Sequence, residues 1–185
     1  MSPKTIPAVA GVAVVVLTAG CGGSSAGPPP TSARQPTSST PSAAVATTTE
    51  SADERDGRAA SDTYLGMWRA MAQAGLTSDW QSVELAKYAK GEALNTITRS
   101  LYRDHASQVV TKGTPKNDPR VTSLQGNTAM IGDCGDSTNW LKYKTTGELK
   151  DNVPGGRQAI TAEVVRQEDG SWRVTRFAIQ AVGTC

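Results

Sequence analysis

The sequence predicts an α+β domain in which N-terminal helices pack into the concave face of a bent antiparallel sheet, behind an exported leader and a tether. Three observations carry this. Apolar residues recur at helical spacing from Ala60 to about His105, and alternation with a period of two replaces that spacing from about Ser107 onward. Ahead of both, a short apolar run stops at a cysteine and gives way to a long stretch without aromatic residues.

Lys4 is the only charge before "IPAVAGVAVVVL", Ile6 to Leu17, which is shorter than the roughly 20 apolar residues a membrane-spanning helix needs. A basic start, an apolar middle and small residues before a cut mark residues 1–20 as a secretory signal peptide. The stretch "LTAGC" resembles the lipobox of bacterial lipoproteins, with Thr18 at the usual leucine position and Leu17 one place earlier. That resemblance implies cleavage before Cys21 and a diacylglyceryl group on its thiol, the nucleophile such acylation requires. Two acyl chains anchor firmly where one is marginal, at about 0.8 kcal/mol per buried CH₂. The expected location is the outer face of the cell membrane, with the membrane as partner through Cys21.

Residues 21–58 read as a disordered tether. They are rich in Ser, Thr, Pro, Gly and Ala and hold too little apolar surface to offset the entropy of ordering. Pro28, Pro29 and Pro30 stiffen the tract locally.

The folded domain is expected over residues 59–185. Ala60, Tyr64, Met67, Trp68, Met71 and Ala74 share one face of a first helix, with Ser61 or Asp62 as its cap and Gly75 just past its end. "SDWQSVELAKYAKGEALNTITRSLYRDHA" then reads as a short helix lined by Leu85, Tyr88 and Ala89, a break at Gly91, and a longer helix lined by Leu94, Ile97, Leu101 and Tyr102. Strands follow at "SQVVTKG", "RVTSLQ", "TAMIGDC", "NWLKYKT", "RQAITAEVVRQ" and "SWRVTRFAIQAV", with "NVPGGR" as a turn and "EDG" closing the last hairpin. The final strand places Phe177, Ile179 and Ala181 on one face and Trp172, Val174 and Ala178 on the other, so it is expected at the centre of the sheet.

With Cys21 acylated, Cys134 and Cys185 remain as an even pair in an exported chain and are expected to form a disulfide. Its loop of about 52 residues is worth roughly 4 kcal/mol on the chain-entropy model. Free thiols or a metal pair are the alternatives, and two Cys with one distant His make a poor zinc set.

The element order, the opening helix "YLGMWRAM" and the closing hairpin "DGSWRVTRF" resemble the NTF2-like superfamily, also called SnoaL-like or ketosteroid-isomerase-like. More narrowly they resemble secreted actinobacterial lipoproteins built on that fold. The resemblance implies a cone between helices and sheet, either filled by its own side chains or open to a small apolar ligand. An open cone would be lined by Tyr64, Trp68, Met71, Val164 and Ile179. It also implies docking of a second copy or of a protein partner on the open sheet face, around Trp140 or Trp172. The main expectation is a non-enzymatic binding domain; the alternative is a small-ligand carrier or an isomerase- or dehydratase-like enzyme.

Superfamily enzymes use a pocket Asp as base beside a Tyr or His, which draws attention to Tyr64, His105, Asp133 and Asp136. Each has an ordinary reading. His105 suits a helix C-terminus, and the two aspartates in "GDCGDST" suit a turn. Tyr64, Trp68 and Met71 have core spacing. The aspartates lack the Ca²⁺-loop pattern, and no G-x-S-x-G, Walker A or H-E-x-x-H is present. No catalytic residue, metal or cofactor is therefore expected. A net charge of +2, from 19 basic and 17 acidic residues with no basic stripe, excludes a nucleic-acid surface.

Overall fold

The computed structural model describes residues 50–185. The expectations for the signal peptide, Cys21 and the tether up to residue 49 lie outside the described residues.

Helix α1 spans Ala52–Gly75, a 3₁₀ turn spans Leu85–Lys87, and α2 spans Gly91–Ala106. Strands β1 (Val109–Lys112), β2 (Arg120–Gln125), β3 (Thr128–Asp136), β4 (Leu141–Lys144), β5 (Arg157–Arg166) and β6 (Trp172–Ile179) follow. The α+β class holds. The start of the domain does not: α1 begins at Ala52, ahead of the expected Ala59 and of the expected caps Ser61 or Asp62. Ser51 and Glu54 form a capping box, in which Ser51 Oγ accepts the Glu54 N–H at 3.2 Å and the Glu54 carboxylate accepts the Ser51 N–H at 2.8 Å. Asp53 and Glu54 also favour the positive end of the helix dipole. "TESADERDGR" has a tether's composition, but its S-x-x-E spacing starts a helix.

The predicted face of α1 is the buried one. Ala60, Tyr64, Met67, Trp68 and Ala74 are buried, and Met71 is half-buried. Gly66 admits Tyr88, whose ring lies so close that a Cβ there would sit 2.3 Å from its Cε1. Gly75 is the last helical residue rather than a left-handed cap, and it lets Thr111 of β1 approach. Gly91 opens α2 at φ +59°, a backbone state that glycine adopts freely. On α2, Ile97 and Leu101 are buried and Leu94 is half-buried, whereas Tyr102 is exposed and stands edge-on to Trp80 at 5.4 Å.

One bent sheet was expected; the strands form two. Four pair antiparallel in the order β2-β3-β5-β6, and β1 pairs with β4 separately. The ladder of β3 ends at Ser137, whose N–H donates to Gly156 O at 3.0 Å while its hydroxyl also bonds Gly156. From there the chain leaves the sheet.

β6 lies at the margin of its sheet, not at the centre. A bulge opposite Glu163 and Val164 inserts Thr175, so that Val174 pairs with Val164 and Phe177 with Ala162. Val174, Phe177 and Ile179 thereby share the face of Val164, Ala162 and Ile160. The two apolar faces read from strict alternation are one face interrupted by a bulge. The free edge of β6 is partly covered, because Lys90 N donates to Val174 O at 2.9 Å and Val174 N to Tyr88 O at 2.8 Å.

Trp68 is the hub of the core. Its ring meets the rings of Tyr64, Trp140 and Phe177 edge-on at centroid distances of 6.1, 5.8 and 6.0 Å. The cone between α1 and the sheet is filled by these rings. Trp172 is also buried, at 6% exposure, and Trp140 is half-buried against the core. The outward face there carries Glu163 instead, hydrogen-bonded by Thr175 and Arg176.

Candidate functional site

The structure brings together two of the residues singled out for chemistry. Tyr64 donates its hydroxyl proton to Asp133 Oδ2 at 2.8 Å across the core. Asp133 follows Ala129 and Ile131 on the inward face of β3 and is 8% exposed. Its carboxylate also accepts Asn117 Nδ2 at 2.5 Å and the Asp118 backbone N–H at 2.9 Å. Burial, and then the facing Asp133 charge, push the Tyr64 phenol well above its ordinary pKa, so it stays protonated as the donor. Each Asp133 oxygen is thus taken by a protein donor, and the described clefts are lined by neither Tyr64 nor Asp133. A carboxylate so engaged pins the loop ahead of β2 to α1.

The other candidates stay apart. His105 is exposed in the last turn of α2. Asp136 accepts the Thr138 N–H at 2.8 Å, and the Thr138 side chain, followed by that backbone bond, holds its carboxyl below the ordinary range. Among the described residues no three His, Cys, Asp or Glu side chains gather as a metal site. Cys134 and Cys185 are joined in a disulfide, with Cα atoms 5.9 Å apart.

The expected cone is largely filled. Tyr64, Trp68 and Val164 are core at 0%, 3% and 0% exposure, because the rings around Trp68 occupy that space. Ile179 lies at the end of β6 and is exposed. Of the five expected lining residues Met71 borders the cleft between α2 and the β1–β4 pair, and Trp68 borders two smaller ones.

That cleft, of about 420 Å³, opens where the two sheets part. Met71 and Gly75 of α1, Ile97, Ser100, Leu101 and Asp104 of α2, and Thr111 of β1 form one side. Trp140, Leu141 and Lys142 form the opposite side, and Ser137 with Gln158 closes the inner end. The segment from Lys150 to Gly155 and the tail residue Val182 make the rim.

Each wall has a local cause. Lys150 N donates to Lys142 O at 3.0 Å, which lays the segment after β4 back along that strand. "NVPGG" was expected to be a turn; it runs as irregular chain, and its glycines are needed for close approach. A Cβ on Gly155 would sit 2.1 Å from Ser137 O, and one on Gly156 would sit 2.5 Å from Val182 Cγ1. The tail holds its place through Gly183 N to Arg157 O at 2.7 Å, Gln180 N to Ala159 O at 2.9 Å and the disulfide.

The polar chemistry of the cleft centres on Lys142, whose Nζ donates to both oxygens of Asp104 at 2.7 Å. Asp104 is 8% exposed, whereas the Lys142 side chain is 39% exposed. At the rim Lys150 lies 3.5 Å from Asp151. The indole N–H of Trp140 is buried without an acceptor among the described residues. Sequence reasoning missed Asp104, Lys142 and the rim. Its one usable signal was "VPGGR", where two glycines follow a proline without any helix to begin.

No family model and no curated protein matches the chain. Among solved structures it is similar to the intermembrane space region of the chloroplast protein ARC6, at 12% identity over 68% of this chain and 96% of that one, TM-score 0.45. A candidate aromatic ring hydroxylase from Novosphingobium aromaticivorans is 18% identical over 68% of this chain and 88% of its own, TM-score 0.47. A candidate dehydratase of the NTF2-like family from Streptomyces avermitilis is 15% identical over 70% and 97%, TM-score 0.43.

Proposed function

We propose that this chain is a lipid-anchored, extracytoplasmic binding module of NTF2-like build, and that the cleft between α2 and the β1–β4 pair takes a small ligand. The observation that carries the binding half is the cleft itself. Its volume of about 420 Å³ falls within the roughly 300–1,000 Å³ of small-molecule sites, and apolar walls surround a small polar centre. The anchor half rests on "LTAGC" and the apolar run before it. A non-enzymatic role is supported by the engagement of Asp133, an inward carboxylate beside a tyrosine, with three protein donors.

Two experiments test the two halves. Radiolabelled palmitate fed to cells expressing the protein is incorporated into the wild type and not into Cys21→Ala; equal labelling removes the anchor. Native mass spectrometry of the exported protein shows a bound small molecule that is absent from Ser100→Trp, in which the new ring fills the cleft. The same adduct on both proteins removes the cleft as the site.

A further inference from the structure

We infer that the cleft selects an anionic amphiphile: an apolar body lies between α2 and β4, and a single carboxylate- or phosphate-like group meets Lys142 and Lys150. This rests on the reading of the cleft as the binding site and adds the class of ligand.

The argument is a count of donors and acceptors. The acidic groups of the cleft are spent on the protein itself. Both Asp104 oxygens accept from Lys142, and Asp151 at the rim accepts the Val153 N–H at 3.1 Å. The cationic groups are not spent. An ammonium has three N–H donors, and Lys142 gives two of them to Asp104. Lys150 makes one long, exposed contact, the kind of pair worth least. What the cleft still needs is an acceptor, and a negative one.

The rest of the lining asks for apolar surface. Met71, Ile97, Leu101 and Leu141 line the interior, and Val153 and Val182 stand at the rim with 69% and 49% exposure. Apolar side chains left in water beside a cleft are covered when a ligand's apolar body extends past the mouth. A purely apolar ligand would strand the ammoniums. A cation would face Lys142 and Lys150, and the inner carboxylate, Asp104, already has both oxygens on Lys142.

The test titrates the full chain carrying Cys21→Ser, so that no acyl group of its own competes, with ligands of one chain length below their micellar concentrations. Decanoate, decyl phosphate, decanol and decyltrimethylammonium are followed by tryptophan fluorescence and calorimetry. Decanoate or decyl phosphate is expected to bind about tenfold or more tightly than decanol, as one charge-assisted hydrogen bond gives, and decyltrimethylammonium more weakly still. The tighter of the two anions names the head group.

Lys150→Gln is expected to weaken the anions several-fold without changing decanol. The pair Asp104→Asn with Lys142→Gln removes both charges of the inner ion pair together and leaves no buried carboxylate unpaired; it is expected to keep only the several-fold preference for decanoate over decanol that Lys150 supplies, and adding Lys150→Gln to bring the two ligands level. Decanol or the cation binding as tightly as decanoate to the wild type overturns the inference while leaving the cleft as the site. Absence of binding by all four ligands overturns both.

Discussion

Tyr64 on the first helix and Asp133 on the third strand, 69 residues apart in sequence, are joined by a hydrogen bond of 2.8 Å through the core. In Tyr64→Phe the carboxylate keeps Asn117 and Asp118 as donors but loses its third. A loss of about 1–3 kcal/mol in urea-unfolding free energy is expected, since a buried acceptor is left underfilled. Asp133→Asn is expected to cost at least as much, because the pinned loop loses charge-assisted bonds.

The same pair sets an alkaline limit. The folded pKa of Tyr64 is raised above its unfolded value of 10.0, so its contribution to stability is complete below that pH. As pH rises further, the unfolded chain releases the phenolic proton while the folded one holds it, and stability falls. Unfolding free energies measured between about pH 9 and 11 should therefore decline more steeply in the wild type than in Tyr64→Phe.

Gly66 gives up helix propensity to admit Tyr88. Gly66→Ala gains up to about 1 kcal/mol of propensity yet forces the ring aside, so net destabilisation of about 1–3 kcal/mol is expected. Equilibrium denaturation reads the sign directly: stabilisation would show that the ring moves without cost.

The disulfide holds the tail that carries Val182 to the cleft rim. In the double variant Cys134→Ser, Cys185→Ser, unfolding free energy should fall by about 2–5 kcal/mol. Hydrogen exchange should quicken at Gln180 and Gly183, whose N–H groups donate to β5, and less so at the core strand β3.

Helices, strands and the disulfide were legible because each leaves a local mark: spacing of 3.6, alternation, or an even cysteine pair in an exported chain. All errors but the start of α1 came from non-local causes. One inserted residue at Thr175 moved Phe177 and Ile179 to the face of Val174, and period-two reading has no sign for a bulge. The separation of β1 and β4 from the larger sheet depends on Ser137 meeting Gly156, a contact that neither residue announces. The cleft lies in that separation, so its lining was hidden for the same reason. Asn117 and Asp118 looked like loop residues, and nothing in "PKNDP" points to a carboxylate on β3. Ser51 and Glu54 were readable as a capping box, but the composition around them outweighed it.

The most direct test of the cleft as the binding site follows the indole N–H resonances of Trp80, Trp140 and Trp172 while decanoate is added to the ¹⁵N-labelled full chain carrying Cys21→Ser. Trp140 borders the cleft and has an N–H without a partner; Trp80 and Trp172 lie away from it. The account predicts a saturable shift of the Trp140 resonance, with Trp80 and Trp172 unmoved. A still Trp140 resonance, or a larger shift at Trp80 or Trp172, would contradict it.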